Sequence, residues 1–279
     1  MNDYQKIGYL HNNFKVFHLI DNEQKQFSYH YHDFNKILIF LNGDVTYNIE
    51  GRSYDLSQND IVFVNAGEVH KPVINSHCTY ERIVIYVSPD FLASYQKEDY
   101  DLNSCFARAH KEQSHVLRVR SYANSSLCSA VRSLEASIPD NGYASELYHE
   151  ILFLAFMIEL NRAAIRNDIA YISNSASNET ILAVLDYLNQ HLTEDINIDH
   201  LAEHFFLSRY YLMHAFKEET GYTIGNYIST KRLLLAKDLI QSGRPITEVC
   251  YDCGYKNYST FSRAYKKCFG EAPRDQRTK

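Results

Sequence analysis

The sequence has no tryptophan, only three methionines and five prolines, and no apolar run longer than the eight residues from Ile151 to Ile158. A helix that spans a bilayer needs about 20 apolar residues, so the sequence offers no candidate for one. The first ten residues, MNDYQKIGYL, contain no basic segment leading into an apolar core, which is the pattern of a secretory signal. The expectation is a cytoplasmic protein with no membrane partner. An excess of positive charge is also missing. Against 34 acidic side chains stand 28 basic ones, a net charge of −6, which argues against a uniformly basic nucleic-acid binder. Six cysteines in 279 residues make no disulfide framework, and a cytosol keeps them reduced. Cys250-Tyr-Asp-Cys253 has the spacing of half a zinc site, but no second ligand pair accompanies it. It follows Pro245-Ile-Thr-Glu-Val and precedes Gly254, so it closes a short helix and reads as two small buried residues.

What is present is the composition of a folded protein, 45% hydrophobic and 22% charged, in a chain long enough for more than one domain. From Phe14 to Val87 short β-type runs follow one another closely. Lys36-Ile-Leu-Ile-Phe-Leu41 and Val45-Thr-Tyr-Asn-Ile49 flank Asn42-Gly43-Asp44, a hairpin signal. Ile61–Val64, Val69–Ile74 and Arg82–Val87 continue the series, which predicts an antiparallel barrel or sandwich. After Ser88-Pro89 the period becomes helical. Leu147, Ile151, Leu154 and Ile158 mark one helix face, and Phe153, Phe156 and Met157 widen it. Such a stripe serves either core packing or a dimer interface. Tyr171 to Asn178 is polar, with small residues, as a linker is.

The C-terminal third repeats itself. Leu201-Ala202, Ser208, Leu212, Phe216-Lys217 and Gly221 are echoed by Val249-Cys250, Ser259, Phe261, Tyr265-Lys266 and Gly270. Each copy reads as a short helix, a tight turn and a second helix, with Asn197 and Ser208 as caps in the first. In that copy Tyr211, Leu212, Ala215 and Phe216 are expected to pack inward. Between the copies, Thr223 to Gln241 forms one amphipathic pattern, a rod of about 28 Å. Charge is segregated accordingly: residues 204–279 hold 13 basic and 7 acidic side chains. Residues 178–203 hold six acids and no lysine or arginine, which suggests a brake on non-specific DNA affinity.

In order and spacing these residues, together with Arg232-x3-Ala236, Gly254-Tyr255 and Phe261 through Pro273, resemble the AraC-type transcription-regulator signature over residues 179–277. Gln276, where the family usually has an aromatic residue, and Pro245, where a capping Ser or Thr is common, depart from it. The resemblance implies an α+β chain: an N-terminal antiparallel cupin-like β-barrel with following helices, then an all-α domain of two helix-turn-helix units joined by a long helix. The implied domains are a sensing barrel over 1–90, a helical dimerisation region over 91–170, a linker over 171–178 and a DNA-binding domain over 179–279.

By the same resemblance, Tyr210, Met213, His214, Tyr258, Ser259 and Arg263 are the candidates for reading bases. Arg263 stands out because a guanidinium can bond guanine O6 and N7 together. Ser208, Arg209, Lys217, Lys256, Asn257, Lys266 and Lys267 are the phosphate candidates, which position without specifying sequence. Double-stranded DNA, a small-molecule effector, a second copy of the chain and RNA polymerase are the implied partners.

His30-Tyr-His32 and Gly67-x2-His70 resemble the two cupin motifs. Three imidazoles could hold a metal, but the glutamate expected four residues after His32 is Lys36, a cation where a carboxylate belongs. No metal and no cofactor are therefore expected. His30, His32, His70, Arg82 and Tyr86 are assigned to effector binding, with Tyr31, Phe34 and Tyr47 as further candidates to stack on a sugar ring. The reading is a non-enzymatic activator that responds to a small metabolite, a sugar among the candidates. Its rivals are a cupin metalloenzyme with an appended helical domain and a barrel that only dimerises.

Overall fold

The computed structural model describes residues 10, 12–22, 26–174 and 178–278; the middle of the expected linker and the side chains of Gln276 and Arg277 lie outside them. The chain divides into two compact units, the boundary falling between residues 176 and 177.

In the first unit, strands β1 (Phe14–Asp21), β2 (Asn35–Asn42), β3 (Val45–Ile49), β4 (Arg52–Asp55), β5 (Ile61–Val64), β6 (His70–Ile74) and β7 (Tyr80–Val87) precede helices α1 (Pro89–Ala93) and α2 (Ser104–Lys111). Strand β8 (Val116–Val119), helices α3 (Ser126–Ser137) and α4 (Ser145–Ile165) and strand β9 (Ile169–Tyr171) complete it. A six-stranded sheet has the order β1-β7-β2-β5-β8-β9 and a three-stranded one β4-β3-β6, with every pairing antiparallel.

Strand β2 shows why the apolar run at 36–41 is continuous. Ile37 and Ile39 join the core shared with α1 to α4, while Leu38 and Phe40 join a second core with Val45, Tyr47 and Tyr54 of the small sheet. A strand covered on both faces has no polar alternation to display. The alternation does, however, put Lys36 on the Leu38 side, the side that faces the small sheet.

Expectations for the turn at 42–44, for residues 91–170, for the start of the linker and for Tyr211 change, and the α4 stripe divides between its two readings. Asn42-Gly43-Asp44 does not close a hairpin: β2 pairs with β5 and β7, and β3 with β4 and β6, so this turn is a corner between sheets. The tight hairpin is instead at Glu50-Gly51, both at positive φ (47° and 75°), where Ile49 pairs with Arg52. Residues 91–170 are not purely helical, because β8 and β9 extend the large sheet, and Tyr171 ends a strand instead of opening the linker. On α4, Phe153, Phe156, Met157 and Leu160 fill the core, whereas Leu147, Ile151 and Ile158 are 58%, 53% and 40% exposed. The central run Ile151–Ile158 is apolar all round, and one chain covers only part of the helix. Tyr211 is also outside the core, 46% exposed, with its hydroxyl accepting from the Asn178 amide at 3.3 Å.

The second unit contains α5 (Glu179–Gln190), α6 (Ile198–His204), α7 (Arg209–Thr220), α8 (Ile224–Gln241), α9 (Ile246–Asp252) and α10 (Tyr258–Phe269). α6 and α9 are seven residues each, and α7 and α10 twelve each, so the repeat in sequence is a repeat in structure. Cys250 and Cys253 are both buried and free at the end of α9. Arg232 of α8 ties the two copies together, donating to the carbonyls of Leu192 (2.7 Å), Glu194 (2.5 Å) and Gly254 (3.0 Å). Gly254 has φ +78°, and a β-carbon there would lie 2.5 Å from the Thr193 carbonyl oxygen, so only glycine fits the junction.

Candidate DNA interface and effector site

The two outward helices are initiated alike. At α7 the Ser208 Oγ accepts the Tyr211 N–H at 3.2 Å; at α10 the Asn257 Oδ1 accepts the Thr260 N–H at 2.9 Å. These oxygens are engaged in capping, which leaves the Ser208 hydroxyl hydrogen and the Asn257 amide N–H groups to meet a phosphate. Asn197 caps α6 in the same way, and Pro245 offers α9 no side-chain cap.

Leu212, Ala215 and Phe216 on α7, and Phe261 and Tyr265 on α10, are buried and fix the rotation of each helix. All six base-reading candidates consequently face solvent. Tyr210 is 78% exposed and stacks on His214, with ring centroids 5.8 Å apart, and Met213 lies one turn from Tyr210. Tyr258, Ser259 and Arg263 are exposed on α10, and the Arg263 Nε donates to the Ser259 carbonyl at 3.2 Å.

The expected phosphate contacts divide into two groups. Arg209 is held by both carboxylate oxygens of Asp199, at 2.8 and 2.9 Å, and Lys256 by Asp195 at 2.7 Å. The Lys256 hydrogen bond holds the Asp195 carboxyl below its ordinary range. Lys217, Lys266 and Lys267 are exposed, and no carboxylate pairs with them among the described residues. Sequence reasoning located the acidic stretch but not these pairings: Asp199 meets Arg209 through the turn from α6 to α7, and Asp195 meets Lys256 through the packing of one copy on the other. It also passed over Phe206, 96% exposed at a φ of +55°.

In the first unit His30, His32 and His70 converge. One nitrogen from each lies within 4.8 Å of the others, and all three rings are buried. A bridge between His30 and His70 holds the two cupin-like segments side by side. The His30 Nδ1 meets the Ser28 carbonyl at 2.8 Å and the His70 Nδ1 the Glu68 carbonyl at 3.0 Å. A carbonyl only accepts, so the proton is on Nδ1 and each Nε2 keeps its lone pair.

The Lys36 ammonium occupies this cluster. Its Nζ donates to the Tyr47 hydroxyl at 2.9 Å and lies 3.4 Å from the His70 Nε2. Burial, then the nearby Arg82, pushes its pKa down to about 7. Burial, then Lys36, pushes His30 down to about 4, and His70 falls well below its ordinary value for the same reasons. The donor set therefore does not fit a metal: where a fourth ligand would supply negative charge, a buried amine with hydrogen-bond partners of its own sits at the histidines.

Arg82 and Tyr86 share the inner face with Lys36, the β2–β7 register placing Tyr86 opposite Lys36 and Arg82 opposite Phe40. Arg82 is already paired with Asp21 at 2.6 Å, and its guanidinium lies 4.0 Å from the centre of the Tyr80 ring. Tyr86 packs on Phe34 (4.5 Å) and His32 (5.5 Å). The five residues expected at an effector site are thus together, joined by Lys36, Tyr47 and Phe34.

A sequence profile of the AraC-like ligand binding domain matches residues 15–157, half of the chain, and a helix-turn-helix domain profile matches residues 201–279. This chain is an AraC-type transcription regulator. As such, the regulator combines a small-molecule-binding unit with a DNA-binding unit, and its fold of an antiparallel sheet followed by helices and tandem helix-turn-helix units is that of the family. It is 29% identical to the HTH-type transcriptional activator RhaS of Shigella sonnei over 259 residues, 91% of this chain and 88% of RhaS. RhaS of Escherichia coli strain SMS-3-5 is 29% identical over 262 residues, with the same coverage. Among solved structures, ToxT from Vibrio cholerae aligns over 96% of this chain and 98% of its own, at 15% identity and a TM-score of 0.38. No helix among the described residues is long and apolar enough to cross a membrane.

Proposed function

We propose that the regulator is a cytoplasmic, homodimeric activator whose effector enters the Lys36–histidine cluster. The observation that carries this reading is the pair of equivalent, outward-facing helices α7 and α10 on one unit, with Lys217, Lys266 and Lys267 free for phosphates. Tyr210, Met213 and His214 read one major-groove segment, and Tyr258, Ser259 and Arg263 the next. Ser208, Arg209, Lys256 and Asn257 join the three lysines in fixing register on the backbone. The cluster of His30, His32, His70, Arg82 and Tyr86 offers ring faces and several hydrogen-bonding nitrogens. Those suit a polyhydroxylated ligand, and the likeness to RhaS supports a sugar.

The exposed apolar face of α4, with Leu147, Ile151, Ile158 and Ile165, supports pairing of two chains through residues 91–170. An effector that binds one arrangement of the dimer more tightly shifts the population toward it, and contact with RNA polymerase then raises transcription. The domain roles follow: sensing by 1–90, dimerisation by 91–170 and DNA binding by 179–279. The test is footprinting of the full chain on the region upstream of its own gene, with and without candidate sugars. A protected site with salt-sensitive affinity is expected. Absence of sequence-selective protection on every genomic fragment would refute the reading.

A further inference from the structure

The two helix-turn-helix units present different chemistry to the duplex. α10 contains no carboxylate, and its outward face carries Arg263, Lys266 and Lys267. On α7 the two cations are Arg209, already held by Asp199, and Lys217, which Glu218 and Glu219 follow in sequence. The rest of its outward surface is mainly apolar or aromatic: Tyr210 at 78% exposure, stacked on His214, and Met213 at 42%, with Phe206 just ahead of the helix.

Phe206 is costly in the isolated chain on two counts. Its backbone is left-handed, at φ +55°, a conformation that favours glycine, and its ring is 96% exposed and so gains nothing from burial. It stands two residues before Ser208, the cap of α7, and the N-terminal end of a recognition helix is the end that meets base edges. The apolar group that a base displays in the major groove is the C5-methyl of thymine.

We infer that Phe206, Tyr210 and Met213 read thymine methyl groups, so that the operator is chemically divided. The segment under α7 is rich in thymine and held by apolar contact; the segment under α10 contains guanine for Arg263 and is anchored at phosphates by Lys266 and Lys267. This inference rests on the DNA docking proposed above and adds Phe206 to it.

The experiment uses the full chain to select its operator from random duplexes. Uracil then replaces thymine in either segment, which removes the methyl and leaves the pairing edge intact. Loss of about fourfold in affinity per contacted methyl is expected in the α7 segment and little change in the α10 segment. Phe206→Gly should lower affinity severalfold with an unchanged salt slope, while its melting temperature holds or rises because the strained backbone is relieved. Equal sensitivity to uracil in both segments, or full affinity of Phe206→Gly, overturns the inference. So does a Phe206→Gly protein that binds DNA normally but fails to activate, since the ring would then face a protein. If Arg263→Ala and Tyr210→Ala leave the selected sequence itself unchanged, the docking reading falls instead.

Discussion

Lys36 offers the most quantitative test of the effector site. Burial lowers its pKa from 10.5 to about 7, and the unfolded chain retains the ordinary value. Between those values the unfolded state binds the extra proton, so stability rises with pH across that window. The folding penalty from this one amine is about 4 kcal/mol at pH 7 and about 2 kcal/mol at pH 9, counting about 1.4 kcal/mol per pKa unit. Lys36→Met keeps the volume and removes the titration. It also strips Tyr47 and His70 of a partner, but that loss is the same at both pH values. Working above pH 7 keeps His30 and His70 neutral in both proteins. The assay is calorimetric melting of the first unit's transition in the full chain, wild type and Lys36→Met, at pH 7 and 9. Relative to the variant, the wild type should gain about 2 kcal/mol between the two pH values, a shift of about 4–8 °C for a unit of this size. A difference that does not change with pH would mean that Lys36 keeps its ordinary pKa. The reading of Lys36 as an amine sealed among the histidines would then fail with it.

Other outcomes follow from the DNA face. Arg263→Ala should cost about 1–3 kcal/mol at the operator and relax preference at one base pair, as measured by binding to single-base operator variants. Lys266→Ala should weaken all duplexes alike and reduce the slope of log affinity against log salt by about one, measured by titration at several salt concentrations. Asp195→Asn with Asp199→Asn releases Lys256 and Arg209, so affinity for non-specific DNA should rise and the salt slope steepen by up to about two. An unchanged slope would dispose of the acidic brake. Ile151→Asp, on the exposed face of α4, should leave the melting temperature nearly unchanged while sedimentation shows dissociation to monomers.

The DNA-binding unit was legible because its signals are local and doubled. Asn197 and Ser208 cap helices from within four residues, and buried positions recur at helical spacing in both copies, so the outward faces largely follow from the inward ones. Gly254 is required by a carbonyl some sixty residues away in sequence, yet its place in the family signature, with Tyr255, marked it.

The histidines of the first unit were legible too, as a spacing, and so was the disqualifying lysine. What the sequence alone settled is therefore the two-unit plan, the repeat and the identity of the groups available to each site. Tertiary structure decided which of them meet. It turned Asn42-Gly43-Asp44 from a hairpin into a corner, because strand pairing depends on partners far along the chain and not on the turn. It left Leu147, Ile151 and Ile158 exposed, because a helix whose apolar residues spread over several faces carries no clear mark of which face its own chain will cover. It set Asp195 against Lys256, Asp199 against Arg209 and Asp21 against Arg82, because side-chain charges choose partners by distance in space, which sequence separation does not report.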